Sequence, residues 1–124
     1  MKKIKVLAVD DDFINLKLLK SMLMKSDNIE EVYEAKNGAE ALNVLKEHND
    51  IDIILLDIIM PVMNGIEMLK ILRSDTNLKQ IPVIVLSTDE TKRVEALDSG
   101  ANDFINKPIR EQILKEKINQ YTAT

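Results

Sequence analysis

The chain has 124 residues, of which 45% are apolar and 31% charged, and its formal net charge is −4. This length fits one domain with a substantial core, and the composition excludes a disordered chain. The negative charge and an aromatic content of 3% argue against direct binding to nucleic acid, and the absence of cysteine excludes disulfide bonds and thiolate chemistry.

Strand-like and helix-like apolar patterns alternate along the chain. Five segments rich in β-branched and apolar residues are predicted to be strands: residues 4–9, 31–35, 51–56, 82–86 and 103–106. Five segments with apolar residues at helical spacing follow them: residues 13–25, 39–47, 65–73, 90–99 and 111–121. Gly100 is predicted to end the fourth helix with a positive φ. The order is therefore a strand followed by a helix, repeated about five times.

The fold class predicted from this order is a doubly wound α/β domain. Strands that are apolar on both faces indicate a parallel sheet covered by helices on each side. The second strand is more polar, which places it nearer an edge. Right-handed crossovers bring the carboxyl ends of all the strands to one rim of the sheet.

Membrane insertion is not expected from this sequence. The longest hydrophobic segment, residues 53–63, contains Asp57 and Pro61 and is too short to cross a bilayer. The three amino-terminal residues are followed by an apolar stretch that Lys5 interrupts, so no secretory signal is predicted. A cytoplasmic protein without membrane contact is the expectation.

The predicted rim collects the residues that can carry chemistry. Asp10 and Asp11 follow the first strand, and Asp57 follows the third. Ser87 and Lys107 follow the fourth and fifth strands. Two carboxylates ~4 Å apart repel by about 4 kcal/mol at an effective dielectric constant of 20, so a cation is expected to join them. Carboxylate oxygens without histidine or cysteine nearby favour Mg²⁺.

Such a set of groups suits phosphoryl transfer. A carboxylate can act as the nucleophile, while Mg²⁺, the ammonium group of Lys107 and the hydroxyl group of Ser87 neutralise and bind phosphoryl oxygens. This reaction needs mostly positioning and charge neutralisation.

The chain resembles the response regulator receiver domains of two-component signalling, particularly the single-domain kind that is similar to chemotaxis regulators. The resemblance covers essentially the whole chain, residues 1–124, as one receiver domain. It rests on four motifs in the family's order: Val9-Asp10-Asp11, then Asp57-x-x-Met60-Pro61-x-Met63-x-Gly65, then Ser87-Thr88, then Lys107-Pro108.

The resemblance implies a flavodoxin-like, five-stranded parallel sheet in the order 2-1-3-4-5 and a role for each matched residue. Asp57 would be the phosphoacceptor. Ser87 and Phe104 would be the switch residues, Lys107 would contact the phosphoryl group, and the bond before Pro108 would be cis. The implied Mg²⁺ ligands are Asp10, Asp11, Asp57 and the backbone carbonyl of Ile59.

The resemblance also implies partners rather than an enzyme with a separate substrate. A histidine kinase or histidine phosphotransfer protein would donate the phosphoryl group. The phosphorylated domain would then bind a downstream protein through the face formed by the last two helices and the last strand. The only chemistry catalysed would be its own phosphorylation and dephosphorylation.

Simpler interpretations stand beside these. Asp10 to Asp12 could cap the first helix, Ser87 could cap the next helix, and Phe104 could be an ordinary core residue. Arg93 is interpreted as a solvated surface charge. An alternative function is a small Mg²⁺-dependent aspartyl-phosphate phosphatase, with Asp10 as nucleophile and Asp12 as general acid, because Asp10-x-Asp12 resembles the signature of haloacid-dehalogenase-type enzymes.

Overall fold

The computed structural model describes residues 3–58 and 63–122. The strands are β1 (Ile4–Val9), β2 (Ile29–Ala35), β3 (Ile53–Asp57), β4 (Val83–Ser87) and β5 (Asp103–Asn106). The helices are α1 (Phe13–Met24), α2 (Gly38–Glu47), α3 (Gly65–Ser74), α4 (Arg93–Asp98) and α5 (Glu111–Thr122). A short 3₁₀ turn, Glu90–Lys92, leads directly into α4.

The five strands form one parallel sheet in the order β2-β1-β3-β4-β5, which confirms the predicted fold class. Leu7, Ile54 and Val85 belong to the apolar cluster on one face of the sheet, and Val6, Leu55 and Ile84 belong to the cluster on the other. Helices cover both clusters. The more polar β2 lies at an edge, as its composition predicted.

Short polar side chains fix where the first three helices begin. Asp12, Asn37 and Asn64 each accept a hydrogen bond from a backbone N–H group in the first turn of α1, α2 and α3. Such N-caps bind donors that have no partner within the helix. Asp12 and Asn37 lie within three residues of the ends of β1 and β2, so in these two places the chain enters its helix directly beyond the carboxyl-terminal rim.

The observed bounds differ from the predicted ones where local signals compete. β3 starts at Ile53 instead of residue 51 and extends to Asp57, so the aspartate is the last residue of the strand. Pro82 precedes β4, because proline has no N–H group to donate to the sheet. The predicted helix over residues 90–99 is divided into the 3₁₀ turn and the six-residue α4.

One partly buried arginine joins several segments at the end of the sheet opposite the rim. The guanidinium group of Arg73, in the last turn of α3, donates hydrogen bonds to the carbonyl oxygens of Lys79, Ile81 and Gly100 at 2.8 to 2.9 Å. It also donates to Oδ1 of Asn102 at 3.0 Å. Gly100, which has a φ of +116°, follows α4 as predicted. Arg73 therefore fastens the carboxyl end of α4 to α3.

No helix within residues 3–58 and 63–122 combines the length and the apolar character that a bilayer crossing requires.

Candidate functional site

Parallel pairing places the predicted site residues at one rim. Val9 pairs with Leu56, so Asp10 and Asp57 are the next residues on neighbouring strands. Asp57 in turn pairs with Leu86, and Ser87 pairs with Asn106. This rim, at the carboxyl ends of β1, β3, β4 and β5, is where open α/β sheets bind ligands.

Three carboxylates converge at the rim. Asp10, Asp11 and Asp57 each offer an oxygen atom, and these oxygens all lie within 4.8 Å of one another. Asp10 is buried, Asp57 is partly buried and Asp11 is exposed. An all-oxygen donor set with one exposed member suits a hard divalent cation that keeps water in its coordination sphere. The donor chemistry therefore fits Mg²⁺.

Asp10 is held on both of its carboxylate oxygens. One accepts a hydrogen bond from the backbone N–H group of Asp12 at 2.9 Å, and the other lies 3.3 Å from the Nζ atom of Lys107. The side chains of Asp10 and Lys107 are only 8% and 18% exposed, so solvent screens this ion pair weakly. The pair places an ammonium group beside the carboxylate cluster.

The backbone of Lys107 is fixed against the neighbouring strand. Its N–H group donates to the carbonyl oxygen of Ser87 at 2.8 Å, and its peptide bond to Pro108 is cis. From the end of β5, the Lys107 side chain reaches Asp10 across the rim. Lys107 was predicted to contact a phosphoryl group, and its ammonium group has three donors with which to do so while it remains near Asp10.

Asp12 lies outside the carboxylate cluster. It is the N-cap of α1, and its side chain accepts a hydrogen bond from the N–H group of Ile14 at 2.9 Å. The simple capping interpretation thus holds for Asp12, while Asp10 and Asp11 take part in the cluster.

Ser87 is buried at the end of β4, where its side chain is 1% exposed. Its hydroxyl oxygen accepts a hydrogen bond from the N–H group of Asp89 at 3.0 Å. Asp89 itself is the N-cap of the 3₁₀ turn. The position of the Ser87 hydroxyl group is therefore linked to the shape of the loop that follows β4.

Phe104 and Arg93 form a contact that the sequence did not reveal. Phe104 is only 3% exposed, and the Cζ atom of Arg93 lies 4.7 Å from the centre of its ring. The Nε and Nη2 atoms of Arg93 also donate hydrogen bonds to the two carboxylate oxygens of Glu90, at 2.5 and 3.1 Å. The Arg93 side chain is 40% exposed, in keeping with its interpretation as a solvated charge, and its guanidinium group also covers the buried ring. Spacing along α4 carries no signal for a contact with β5.

Ile59, whose carbonyl oxygen was predicted to bind Mg²⁺, lies outside the described residues, as do Met60 and Pro61 of the second motif. The backbone on either side of this gap is well anchored. The N–H group of Gly65 donates to the carbonyl oxygen of Ile58 at 3.0 Å, and that of Gly38 donates to the carbonyl oxygen of Met63 at 3.1 Å. These bonds attach the start of α2 and the start of α3 to the loop after Asp57.

A second polar cluster lies at the start of β5, away from the rim. The carboxylate of Asp103 accepts hydrogen bonds from Lys117 and Tyr121 of α5, at 2.8 and 2.9 Å, and from the N–H group of Phe104 at 2.8 Å. Burial alone would raise the pKa of Asp103, but these hydrogen bonds outweigh it and the pKa is lowered. The cluster ties α5 to the strand that carries Phe104.

Comparisons with known proteins agree with this geometry. A sequence model described as the response regulator receiver domain matches residues 6–119. Chemotaxis protein CheY1 of Helicobacter pylori is 37% identical over 122 residues, which cover 97% of this chain and 98% of that protein. The alternative phosphatase function finds no support in these matches.

Solved structures show the same fold. The response regulator domain of Thermotoga maritima CheB matches with a TM-score of 0.85 and 36% identity, covering 99% of this chain and 98% of that one. The receiver domain of a sensor histidine kinase from Pseudomonas aeruginosa, solved with a magnesium ion in its active-site cleft, matches with a TM-score of 0.87. Its identity is 23%, covering 98% of this chain and 99% of that one, so it bears on the fold alone.

The family model spans most of the chain, and a relative of nearly equal length shares 37% of the aligned residues. The chain therefore belongs to the response regulator receiver domain family and is similar to chemotaxis regulators of the CheY type.

Proposed function

We propose that the chain, over residues 1–124, is a receiver that accepts a phosphoryl group on Asp57 from a histidine kinase or a histidine phosphotransfer protein. The observation that carries this proposal is the convergence of Asp10, Asp11 and Asp57 within 4.8 Å, with the ammonium group of Lys107 paired to Asp10. Carboxylates and one lysine at a sheet rim supply a nucleophile, a metal site and a positive charge in one place.

Asp10, Asp11 and Asp57 would hold Mg²⁺, together with the carbonyl group of Ile59 that the family resemblance adds. When bound, Mg²⁺ supplies positive charge that offsets the mutual repulsion of the carboxylates and the charge of the incoming phosphoryl group. The buried position of Asp10 and its hydrogen bond from Asp12 keep one carboxylate fixed, while the exposed Asp11 leaves one side open to water and phosphate.

In the transfer, a carboxylate oxygen of Asp57 forms a bond to phosphorus as the bond from phosphorus to the donor's imidazole nitrogen breaks. The imidazole takes the bonding electrons, and Asp57 becomes an acyl phosphate. Lys107 and the hydroxyl group of Ser87 are the donors at the rim that can bind the new phosphoryl oxygens. The phosphoryl group ends on Asp57 of the chain itself and not on a separate substrate, so the chain would act as a signalling acceptor.

The donor protein must approach the rim, and α1 begins there. Phe13, Ile14 and Leu18 on this helix are 57%, 66% and 60% exposed. An apolar ridge of this kind beside a reactive carboxylate favours docking of a protein. We place the donor's contact on this ridge.

The output would pass through the face formed by α4, β5 and α5. Val94 and Leu97 of α4 and Ile113 of α5 are exposed, and Phe104 of β5 is buried in the apolar cluster that includes Ala96 of α4. The added charge of about −2 on Asp57 would recruit Ser87 and Lys107. Their movement would change the conformation of the loop after β4 and, through it, the face formed by α4, β5 and α5. A downstream protein would recognise the changed face.

Phosphorylation with acetyl phosphate and Mg²⁺, followed by peptide mass spectrometry, tests the proposal. We expect one phosphoryl group on the peptide that contains Asp57, and none on the Asp57→Asn variant. Asp12→Asn is the matched control, because it makes the same chemical change at a carboxylate outside the cluster, and it should still be labelled.

Labelling on Asp10 would contradict the proposal and favour the phosphatase function. In that case Asp12→Asn, which removes the phosphatase's general acid, would slow turnover of the label, and Asp57→Asn would not.

A further inference from the structure

The contact between Arg93 and Phe104 is built from several interactions on one guanidinium group. Its Cζ atom lies 4.7 Å from the ring centre, and one of its N–H groups reaches the carbonyl oxygen of Phe104 at 3.4 Å. A cation over an aromatic face is attracted by the ring's quadrupole, and arginine can stack on the ring as well. Arg93 thus closes the solvent side of a ring that is otherwise in the core.

Glu90 sets the position of that guanidinium group. Both of its carboxylate oxygens accept hydrogen bonds from Arg93, which gives a two-point contact with a defined orientation. Glu90 is the first residue of the 3₁₀ turn, so Arg93 follows the position of the turn.

The 3₁₀ turn is itself linked to Ser87. The backbone N–H group of Asp89 donates to the Ser87 hydroxyl oxygen at 3.0 Å. The side-chain carboxylate of Asp89 caps the 3₁₀ turn by accepting a hydrogen bond from the N–H group of Thr91 at 3.0 Å. If the Ser87 hydroxyl group moves towards a phosphoryl group, Asp89 loses its acceptor. A continuous set of contacts therefore runs from Ser87 through Asp89, Glu90 and Arg93 to Phe104.

The ring of Phe104 is already buried in the structure, at 3% exposure. Phosphorylation therefore cannot act by burying it from an exposed position. What can change is the group that covers the ring and the loop that holds this group.

We propose that Arg93 is a positioning residue of the switch, which holds Phe104 in its buried position and transmits movements of the loop after β4 to it. This inference rests on the proposed function, because the movement starts with a phosphoryl group on Asp57. Glu90 is the second member of the device, since it orients the guanidinium group.

Phenylalanine ring signals test the proposal directly. The chain has two phenylalanines, Phe13 and Phe104, so protein labelled with ¹³C in these rings gives two sets of NMR signals. A Phe13→Leu variant assigns them. Spectra are recorded without metal, with Mg²⁺, and with Mg²⁺ and beryllofluoride, which mimics the phosphoryl group.

In the native protein we expect beryllofluoride to shift the Phe104 signals. In Arg93→Gln the Phe104 signals should differ already without metal, and the shift caused by beryllofluoride should fall by at least half. Glu90→Gln should reduce the shift in the same way, and Arg93→Lys should restore part of it. Lys92→Gln is the matched control, because Lys92 is the adjacent cation and pairs with Glu95 instead.

A merely structural role of Arg93 would lower the unfolding temperature and leave the beryllofluoride-dependent shift intact. That result, or equal shifts in native protein, Arg93→Gln and Lys92→Gln, would overturn the inference alone. Absence of any beryllofluoride response in the native protein, at any signal, would overturn the proposed function and this inference together.

Discussion

At the scale of single residues, neighbouring acids have different environments. Asp10 is buried against Lys107, Asp11 is exposed within the carboxylate cluster, and Asp12 caps α1. Asp103 is a fourth case, since it accepts three hydrogen bonds at the start of β5. Charge alone does not separate these roles; the partner of each carboxylate does.

Asp103→Asn is expected to remove a stabilising contribution that depends on pH. The pKa of Asp103 is lowered in the folded protein, so its carboxylate stabilises the fold above the unfolded-state pKa of about 4, and this contribution is lost as the pH falls through the folded-state value. At neutral pH the substitution should cost about 1–3 kcal/mol, because Lys117 and Tyr121 lose a charged acceptor.

Urea unfolding of the native and variant proteins across a pH series checks this expectation. The difference in the free energy of unfolding should shrink as the pH is lowered towards 3 or so. Asp27→Asn, at an exposed turn, is the control and should leave the pH dependence unchanged. Parallel curves for native protein and Asp103→Asn would contradict the assignment.

The sequence predicted the rim residues well because each follows an apolar strand, and parallel strands bring such positions together without further information. Asp10, Asp57 and Lys107 are of this kind. The contact of Arg93 with Phe104 could not be predicted, because it depends on how a short helix lies over a strand that comes later in the chain. The buried state of Phe104 was equally open, since an aromatic residue on a short strand suits either position.

At the scale of the elements, the types were predictable and the ends were less so. Periodicity identified all five strands and the five helical regions, including the α4 region. The start of β3 was misplaced because Ile51 is buried in the loop before the strand, where it resembles a strand residue. The division of residues 90–99 depends on the capping of the turn by Asp89, a local hydrogen bond that apolar spacing does not report.

Gly65→Ala is expected to disturb the start of α3 and, through it, the position of Asp57. A Cβ atom at Gly65 would lie 2.6 Å from the Cα atom of Ile58 and 2.8 Å from the carbonyl oxygen of Asp57. These are backbone atoms and cannot move aside independently, so we expect a loss of about 1–3 kcal/mol in unfolding free energy and slower phosphorylation.

Gly100→Ala provides the matched comparison. It is also expected to destabilise the fold, because Gly100 has a φ of +116° and its Cβ would meet the Arg73 side chain, but it lies at the far end of the sheet. Urea unfolding and the rate of labelling by acetyl phosphate separate the two. Equal labelling rates in both variants would show that the Gly65 contact does not position Asp57.

At the scale of the whole molecule, the carboxylate cluster links metal binding to stability. A ligand that binds only the folded state stabilises it by about 2.7 kcal/mol at a concentration 100-fold above its dissociation constant. Asp57 is far along the chain from the adjacent pair Asp10 and Asp11, so the complete site exists only in the folded protein. Mg²⁺ should therefore raise the unfolding temperature by several degrees.

A thermal unfolding series in increasing Mg²⁺ measures this effect. Asp11→Asn should weaken or abolish the shift, whereas Asp12→Asn, which keeps an oxygen acceptor at the N-cap of α1, should leave both the unfolding temperature without metal and the Mg²⁺-dependent shift close to those of the native protein. A Mg²⁺ response that survives in Asp11→Asn would exclude this aspartate as a ligand.

The anchoring of Gly100 by Arg73 has a mechanical consequence for α4. The helix is fastened at its carboxyl end through the partly buried guanidinium group of Arg73, while its amino end is tied to the loop by the exposed pair of Arg93 and Glu90. The six residues of α4 span about 9 Å. A movement that starts at the rim would therefore tilt this short helix about its carboxyl end. Val94, near the amino end, would then move further than Leu97, which makes it the more sensitive reporter for a partner that binds this face.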